Sequence, residues 1–397
     1  MLQPELEDAV VSPSPSLEAS KPRARSRRNL LRAAAAASLC AVAGGGAAHF
    51  LTACDEGPDP GEFDENAMLR QIADNVMLPV LVDFDTSAGA LEAAVSAFAD
   101  GPTEATLATA REAWLAARAV WKQSQAFAFG PVKGDLSAAI DWVADPAAID
   151  DVVATGGPFD SASVDKLGTN RKGMMALEYL LFDPEASDAD VVARLEGNGA
   201  AFARALGQNL AAKATTLREA WDPSSGAYVD EFGNAGTTSD LYKSPKDALD
   251  ALVNEILFLA DTAANLIAAP LGLKTGGTPA PELEESRLSD SSLADVENRV
   301  RGIDAIWEGR FGDLDGLGLS DMAGSRSEAL VSDVRNAIDK SFEALEAVPV
   351  AMTAALTEAP AELEAAFNAV IALKQIIGSD VVTVLGVTLT FNDNDGD

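Results

Sequence analysis

Apolar residues recur at intervals of three and four along nearly the whole chain after Phe63, and this spacing predicts a protein built of helices. The clearest case is the segment 245–269, where one stripe is formed by Leu249, Leu252, Ile256, Leu259, Ala263 and Leu266. Ser244 can cap this helix, Pro245 suits its first turn, and Pro270 ends it.

The same spacing, interrupted by glycine and proline, predicts the other helices. They are expected over 103–129, 188–221, 293–308 and 328–348, with a last helix that begins at Pro360. A glycine-rich loop is expected over 309–324. The segment 381–391 is rich in β-branched residues and resembles a strand on propensity, but the chain offers it no second strand as a partner.

Long helices joined by loops predict an all-α protein, most simply two helical bundles of the four-helix type. The Gly-, Ser- and Thr-rich segment 222–243 divides the pattern, so one bundle is expected over 67–221 and the other over 244–397. Each half has a tryptophan-bearing helix, which suggests a duplicated fold without a convincing sequence repeat.

Residues 1–53 have the pattern of an export signal. The basic stretch "KPRARSRRNLLR" resembles the twin-arginine motif, an uncharged Ala- and Gly-rich stretch follows it, and "LTAC" resembles a bacterial lipobox. Cys54 is then the lipidated N-terminus, followed by a charged tether over 54–66. The alternative is a membrane-spanning helix, for which the apolar stretch is short and rich in glycine.

Cleavage before Cys54 would limit the chemistry of the mature protein. The only histidine, His49, and one of the two cysteines, Cys40, precede that point. Ser-His-Asp catalysis and a zinc site of the usual His/Cys type are therefore excluded. The net charge of −33 also argues against nucleic acid as a partner, since the phosphate backbone would be repelled.

Two stretches whose residue spacing is typical of buried helix faces supply candidate binding residues. Trp114, Arg118, Trp121 and Gln125 are spaced to share one helix face, which either packs in the core with Arg118 beside a buried carboxylate or lines a pocket. Asp141 and Trp142 are adjacent in a later loop and join the candidate pocket.

The second pattern is "KGMMALEYLLFD" at 172–183. Met175 and Glu178 are three residues apart and face the same side of a helix. Glu178 lies in an apolar stretch and needs a partner, for which Arg118 is the expected residue. Gly173 would allow another backbone to approach closely.

The chain resembles the imelysin-like envelope proteins, whose Gly-x-His-x-x-Glu motif corresponds to the stretch from Gly173 to Glu178. The Trp-x-x-x-Arg helix that leads into "FGPV", the "LADVENRVRGIDAIWEG" helix and the terminal "DNDGD" occur in the family's order. The resemblance implies two four-helix bundles with a pocket near their junction, a link to bacterial iron uptake and classification as metallopeptidases. It also implies that 381–391 continues or closes the last helix.

Two departures from the family pattern lie in the motif region. The motif histidine is Met175, and a glutamate expected after the tryptophan helix is Gln125. Both losses remove metal ligands, and thioether sulfur suits Cu(I) better than iron or zinc. Weak binding of iron or calcium through oxygen ligands stays open, while neither a catalytic residue nor a tight metal site is expected.

The sequence thus predicts a non-catalytic binding or partner module of the cell envelope, linked to iron uptake. A lipid anchor to a membrane and an envelope protein or iron-uptake component are the expected partners. An imelysin-type metallopeptidase and a structural adaptor of an envelope complex are the alternatives.

Overall fold

A computed structural model describes residues 63–390. The predicted export signal, Cys54 and the last seven residues lie outside this range. Seventeen α-helices are formed within it: α1 Glu65–Ile72, α2 Leu78–Asp100, α3 Glu104–Ser124, α4 Asp135–Ile140, α5 Pro146–Thr155, α6 Ser161–Asp165, α7 Gly173–Leu181, α8 Asp188–Leu195, α9 Asn198–Trp221, α10 Tyr228–Gly233, α11 Pro245–Ala268, α12 Ser292–Glu308, α13 Leu319–Arg326, α14 Glu328–Glu346, α15 Met352–Glu358, α16 Pro360–Ile376 and α17 Val382–Leu385.

Strand structure within residues 63–390 is limited to one antiparallel hairpin, β1 Arg310–Phe311 and β2 Leu314–Asp315. The all-α prediction is therefore confirmed. Single π-turns, Ala73–Met77 and Ile377–Val381, join α1 to α2 and α16 to α17.

The long helices pack in two groups that share a contiguous apolar core. In the first half, α2 packs against α3 and α9, and in the second half α16 packs against α11 and α14. Helix α12 packs against both α3 and α11, so it joins the first half of the chain to the second. The division into two bundles at 222–243 stays a prediction, and that segment contains α10, whose Val229 and Phe232 are buried.

The start of α11 follows the predicted capping pattern. The Ser244 side chain accepts a hydrogen bond from the Asp247 amide, and the Asp247 carboxylate accepts one from the Ser244 amide. Pro245 occupies the first turn. Helix α11 and the segment Pro360–Leu385 are long and apolar enough to cross a membrane by length and composition. Half of the apolar window in α11 is buried in the core, which accounts for its composition.

Two sequence predictions need correction, and one alternative is decided. The predicted helix 188–221 is two helices, because Gly197 has a φ of +71° that ends the regular helical path between α8 and α9. The predicted loop 309–324 contains the hairpin and then the start of α13. The segment that begins at 381 does not form a strand, although it is rich in β-branched residues. The chain stays helical to Leu385, and Gly386 ends α17 in the left-handed conformation. The family resemblance implied this continuation of the last helix.

Candidate functional site

One face of α3 forms the base of the site. Trp114, Arg118 and Trp121 are all buried, as their spacing on a single helix face predicted. The indole Nε1 of Trp114 donates to the Met174 carbonyl at 2.9 Å, and the Arg118 guanidinium carbon lies 5.2 Å from the centre of the Trp114 ring. The two aromatic side chains therefore fix both the position of α7 and that of the buried arginine.

Arg118 is paired with carboxylates, but Glu178 is not its ion-pair partner. Its Nε and Nη2 atoms lie 3.0 Å and 2.8 Å from the two carboxylate oxygens of Asp295, and Nη1 lies 3.3 Å from Asp141 Oδ1. The predicted Arg118–Glu178 ion pair is therefore wrong. Asp295 belongs to α12, and only the packing of α12 on α3 brings this carboxylate to Arg118.

Lys122 and Arg299 extend the pairing. Lys122 Nζ donates to Asp141 Oδ2 at 2.6 Å and to Glu285 Oε1 at 2.8 Å, while Arg299 Nη2 donates to the same Glu285 oxygen at 2.7 Å. We refer to the six residues as the charge network: Arg118, Lys122, Asp141, Glu285, Asp295 and Arg299. It joins α3 and α12 through three cations and three carboxylates.

The charge network controls the protonation of its carboxylates. Burial opposes the ionisation of Asp141, but the charges of Lys122 and Arg118 hold its pKa well below its usual range. Burial likewise opposes the ionisation of Glu285, and Arg299, Lys122 and Arg118 hold its pKa well below the ordinary value. Both groups therefore stay ionised and bound to protein cations at neutral pH.

Glu178 has a different environment. Its Oε1 accepts hydrogen bonds from the Ser289 amide at 3.0 Å and from the Ser289 hydroxyl at 2.6 Å. Burial raises the pKa of Glu178 to about 7, although the Ser289 hydrogen bonds and the charge of Arg118 act in the opposite direction. Glu178 is thus a buried carboxylate whose protonation changes near neutral pH.

Gly173 allows the close approach that the sequence predicted. It begins α7 with a φ of +76°, and a Cβ at this position would lie 2.4 Å from the Ile140 carbonyl oxygen at the end of α4. The next residues run along the base of the site: Met174 accepts the Trp114 hydrogen bond, and Met175 is buried with one side toward a cavity.

A cavity of about 730 Å³ lies above this base. Its wall includes six of the nine predicted pocket residues: Trp121, Gln125, Asp141, Trp142, Met175 and Glu178. The other three, Trp114, Arg118 and Gly173, do not line the cavity and act from behind its wall. Gln125, just beyond the end of α3, accepts a hydrogen bond from Arg299 Nε at 3.1 Å.

Apolar side chains form much of the solvent-exposed part of the cavity lining, beside the exposed Glu282 and Arg287. Four of its lining side chains are among the exposed large hydrophobic residues, with exposed fractions of 53% for Trp142, 78% for Val143, 45% for Phe258 and 46% for Leu283. We call these four residues the apolar rim. An exposed apolar patch at the mouth of a cavity is typical of a binding surface.

Several residues of the site were not predicted from the sequence. Lys122 follows Arg118 by one helical turn, and Asp295 and Arg299 are four apart in α12, so helical spacing could have identified these three as residues of buried faces. Glu285 and Ser289 lie in the loop between the short 3₁₀ turn Pro281–Leu283 and α12, where no periodic pattern marks them. Glu255 on α11 also lines the cavity, and burial raises its pKa to about 7.

The donor set does not fit a metal centre of the kind that the family resemblance implies. Among residues 63–390, no three His, Cys, Asp or Glu side chains converge in a way that could hold a metal ion. A thioether stands at Met175, Gln125 is bonded to Arg299, and the ionised carboxylates of Asp141 and Glu285 are bound to protein cations. A transition metal would have to displace these cations to obtain its oxygen ligands.

Comparison with known proteins identifies the family. The family model described as Imelysin, a peptidase family, matches residues 77–377. Iron-regulated protein A of Synechococcus elongatus is 28% identical over 256 residues, a match that covers 62% of this chain and 65% of that protein, so slightly less than two thirds of the relative is spanned.

Solved structures agree on the fold. A protein from Parabacteroides distasonis described as an iron-regulated protein A precursor is 22% identical with a TM-score of 0.70, covering 83% of this chain and 97% of its own. An imelysin-like protein from Psychrobacter arcticum is 16% identical with a TM-score of 0.67, and the match covers 82% of this chain and 97% of that protein. With a family model that matches well over half of its length, the chain belongs to the imelysin family.

Proposed function

We propose that this protein is a non-catalytic binding module of the cell envelope that serves iron uptake. The observation that carries the proposal is the combination of an open cavity with a base whose ionised carboxylates are already paired. Such a cavity has the volume and the largely apolar wall of a small-molecule site. The carboxylates of Asp141 and Glu285 in its base are bound to protein cations and are therefore not free to activate water.

The iron connection and the envelope location rest on different support. Iron regulation is part of the names of the Synechococcus and Parabacteroides proteins, and the latter is called a precursor, as an exported protein would be. The signal-like residues 1–53 and the lipobox-like sequence that ends at Cys54 support export and lipid anchoring of this chain.

A peptidase role is not favoured by the residues of the site. Zinc peptidases hold the metal with about three protein ligands and leave a position open for water. The position of the motif histidine is Met175, so the site lacks the nitrogen ligand that the motif would supply to such a metal.

The apolar rim favours a second role as an adaptor. Exposed aromatic and aliphatic side chains at a cavity mouth can receive a side chain of an envelope protein as well as a small molecule. Both roles are non-catalytic binding, and they differ in the size of the occupant.

Titration calorimetry with Zn²⁺ and Fe³⁺ tests the proposal. The native protein should bind both ions weakly and in a salt-dependent manner, and it should not hydrolyse casein. The Met175→His/Gln125→Glu variant should bind more tightly, because it supplies a nitrogen and a carboxylate ligand, although Arg299 competes for the carboxylate at position 125.

Met174→His is the matched control, since the neighbouring Met174 is fully buried and does not line the cavity. It should leave metal affinity at the native level. Stoichiometric submicromolar binding of either ion by the native protein, lost in Glu178→Ala, would contradict the proposal and favour metal-dependent catalysis.

A further inference from the structure

Carboxylate oxygens that lack a donor face the cavity. Glu178 is 3% exposed, and the hydrogen bonds that it receives from residues 63–390 reach Oε1 alone. Glu255 on α11 has no hydrogen bond or ion pair to any described residue, and the charge of Lys133 is the one that acts on it. A ligand that donates hydrogen bonds would satisfy these oxygens.

The balance of charge around the cavity favours a cation. Six carboxylate side chains line it against two arginines, Arg287 and Arg299. Two of the six, Asp141 and Glu285, are also paired with Arg118 and Lys122, which lie behind the wall. Arg299 is already bonded to Glu285 and Gln125, and Arg287 is exposed. An anionic ligand would therefore meet a surplus of carboxylates.

The cation that fits this surface is organic. A bare metal ion needs several ligands that converge on one point, and no such group of three exists among residues 63–390. The apolar rim, by contrast, offers Trp142 and Phe258 at the entrance, and aromatic faces attract ammonium groups as well as apolar bodies. A cavity of about 730 Å³ accommodates a small organic molecule.

We infer that the cavity binds an organic ammonium compound, whose charged nitrogen is held by Glu178 and Glu255 and whose apolar or aromatic body lies against the rim. The inference rests on the proposed function, in which this cavity is a ligand site. It adds the chemical class of the ligand: a primary or secondary amine attached to a hydrophobic group.

Three probes of similar shape and different charge test this inference by calorimetry at pH 8. They are 4-phenylbutylamine, the neutral 4-phenylbutanol and the anionic 4-phenylbutyrate. The native protein should bind the amine at least about tenfold more tightly than the alcohol, and the carboxylate more weakly than both, because only the amine combines several hydrogen-bond donors with a positive charge.

Isosteric variants locate the charge recognition. Glu178→Gln and Glu255→Gln should each weaken amine binding by about tenfold and leave alcohol binding unchanged. Glu364→Gln, an exposed position on α16 that does not line the cavity, should change neither. Trp142→Ala should weaken binding of the amine and the alcohol together. Melting curves of each variant confirm that it is folded.

The outcomes separate this inference from the proposed function. Equal binding of amine and alcohol, or unaltered amine binding in both glutamine variants, overturns the ammonium inference and leaves the cavity as a ligand site. Preference for the carboxylate, or binding of none of the three probes, also overturns it. The proposed function is decided independently, by the metal titrations and the casein assay.

Discussion

Individual carboxylates at this site fall into two classes, and their neighbours decide which class each belongs to. Asp141 and Glu285 lie among cations and stay ionised. Glu178 is buried and Glu255 half-buried, both have few charged neighbours, and the pKa of each is raised to about 7. The carboxylates of Asp141 and Glu285 thus join helices through ion pairs, whereas those of Glu178 and Glu255 face the cavity as proton acceptors.

The raised pKa of Glu178 predicts a specific pH dependence of stability. The folded state retains a proton that the unfolded chain releases above its ordinary pKa of 4.5, so stability falls as the pH rises from about 4.5 to 7. The loss from Glu178 is about 3 kcal/mol when complete. Glu178→Gln mimics the protonated form and should match the native protein at pH 5 but melt at a higher temperature at pH 8.

Thermal melts at both pH values measure the difference between variant and native protein, and the exposed Glu364→Gln provides the baseline. If Glu178→Gln shifted the melting temperature equally at pH 5 and pH 8, the carboxyl group would not be titrating in this window.

The pairing of Arg118 with Asp295 gives a second prediction at the residue scale. Asp295→Ala leaves a buried guanidinium with one fewer carboxylate and should lower the free energy of unfolding by about 3 kcal/mol. Replacing both partners, as Arg118→Met/Asp295→Leu, should restore much of this loss because no buried charge of the pair is left. Urea unfolding measures both, and a double variant no more stable than Asp295→Ala would show that the pair does not act as a unit.

At the scale of elements, the position of α7 depends on its contact with the end of α4. That contact brings Met175 and Glu178 to the cavity, while the hydrogen bond from Trp114 to Met174 holds the helix from the other side. The glycine that begins α7 is therefore a structural requirement of the site.

Gly173→Ala should destabilise the protein by about 2–5 kcal/mol, since the new Cβ meets the Ile140 carbonyl oxygen and the backbone has a positive φ. Gly89→Ala is the matched control, because Gly89 is exposed within α2 and a Cβ there meets nothing within 4 Å. The control should be neutral or stabilising by up to about 1 kcal/mol. Urea unfolding compares the two variants, and equal stabilities would contradict the close approach.

At the scale of the whole molecule, the helical body is expected to be attached to a membrane through residues that precede it. Lipid on Cys54 would supply the attachment, with each buried CH₂ contributing about 0.8 kcal/mol. The strongly acidic chain offers little attraction of its own for anionic lipid headgroups.

Cys54→Ala should therefore move the protein from the membrane fraction to the soluble fraction when the cell envelope is separated. Salt washing of the native protein is the control, since a lipid anchor resists it. Tight membrane association of Cys54→Ala would contradict the lipobox interpretation and point instead to a membrane-spanning N-terminal segment.

The sequence by itself determined the features that depend on neighbours along the chain. The helical class, the cap of α11 at Ser244, the buried face that contains Trp114 and Arg118, and the need for Gly173 all follow from spacing within one helix or turn. These are governed by local backbone geometry and by which side of a helix is apolar.

Only the tertiary structure decided which charges meet. Arg118 pairs with Asp295, which lies 177 positions away in the sequence, and Glu178 accepts hydrogen bonds from Ser289, which lies 111 positions away. By their chemistry alone, Arg118 and Glu178 could equally have paired with each other. Several carboxylates could satisfy a buried arginine equally well by type. The choice among them is made by the packing of α12 on α3, because an ion pair forms only between atoms that the helices bring within a few ångströms.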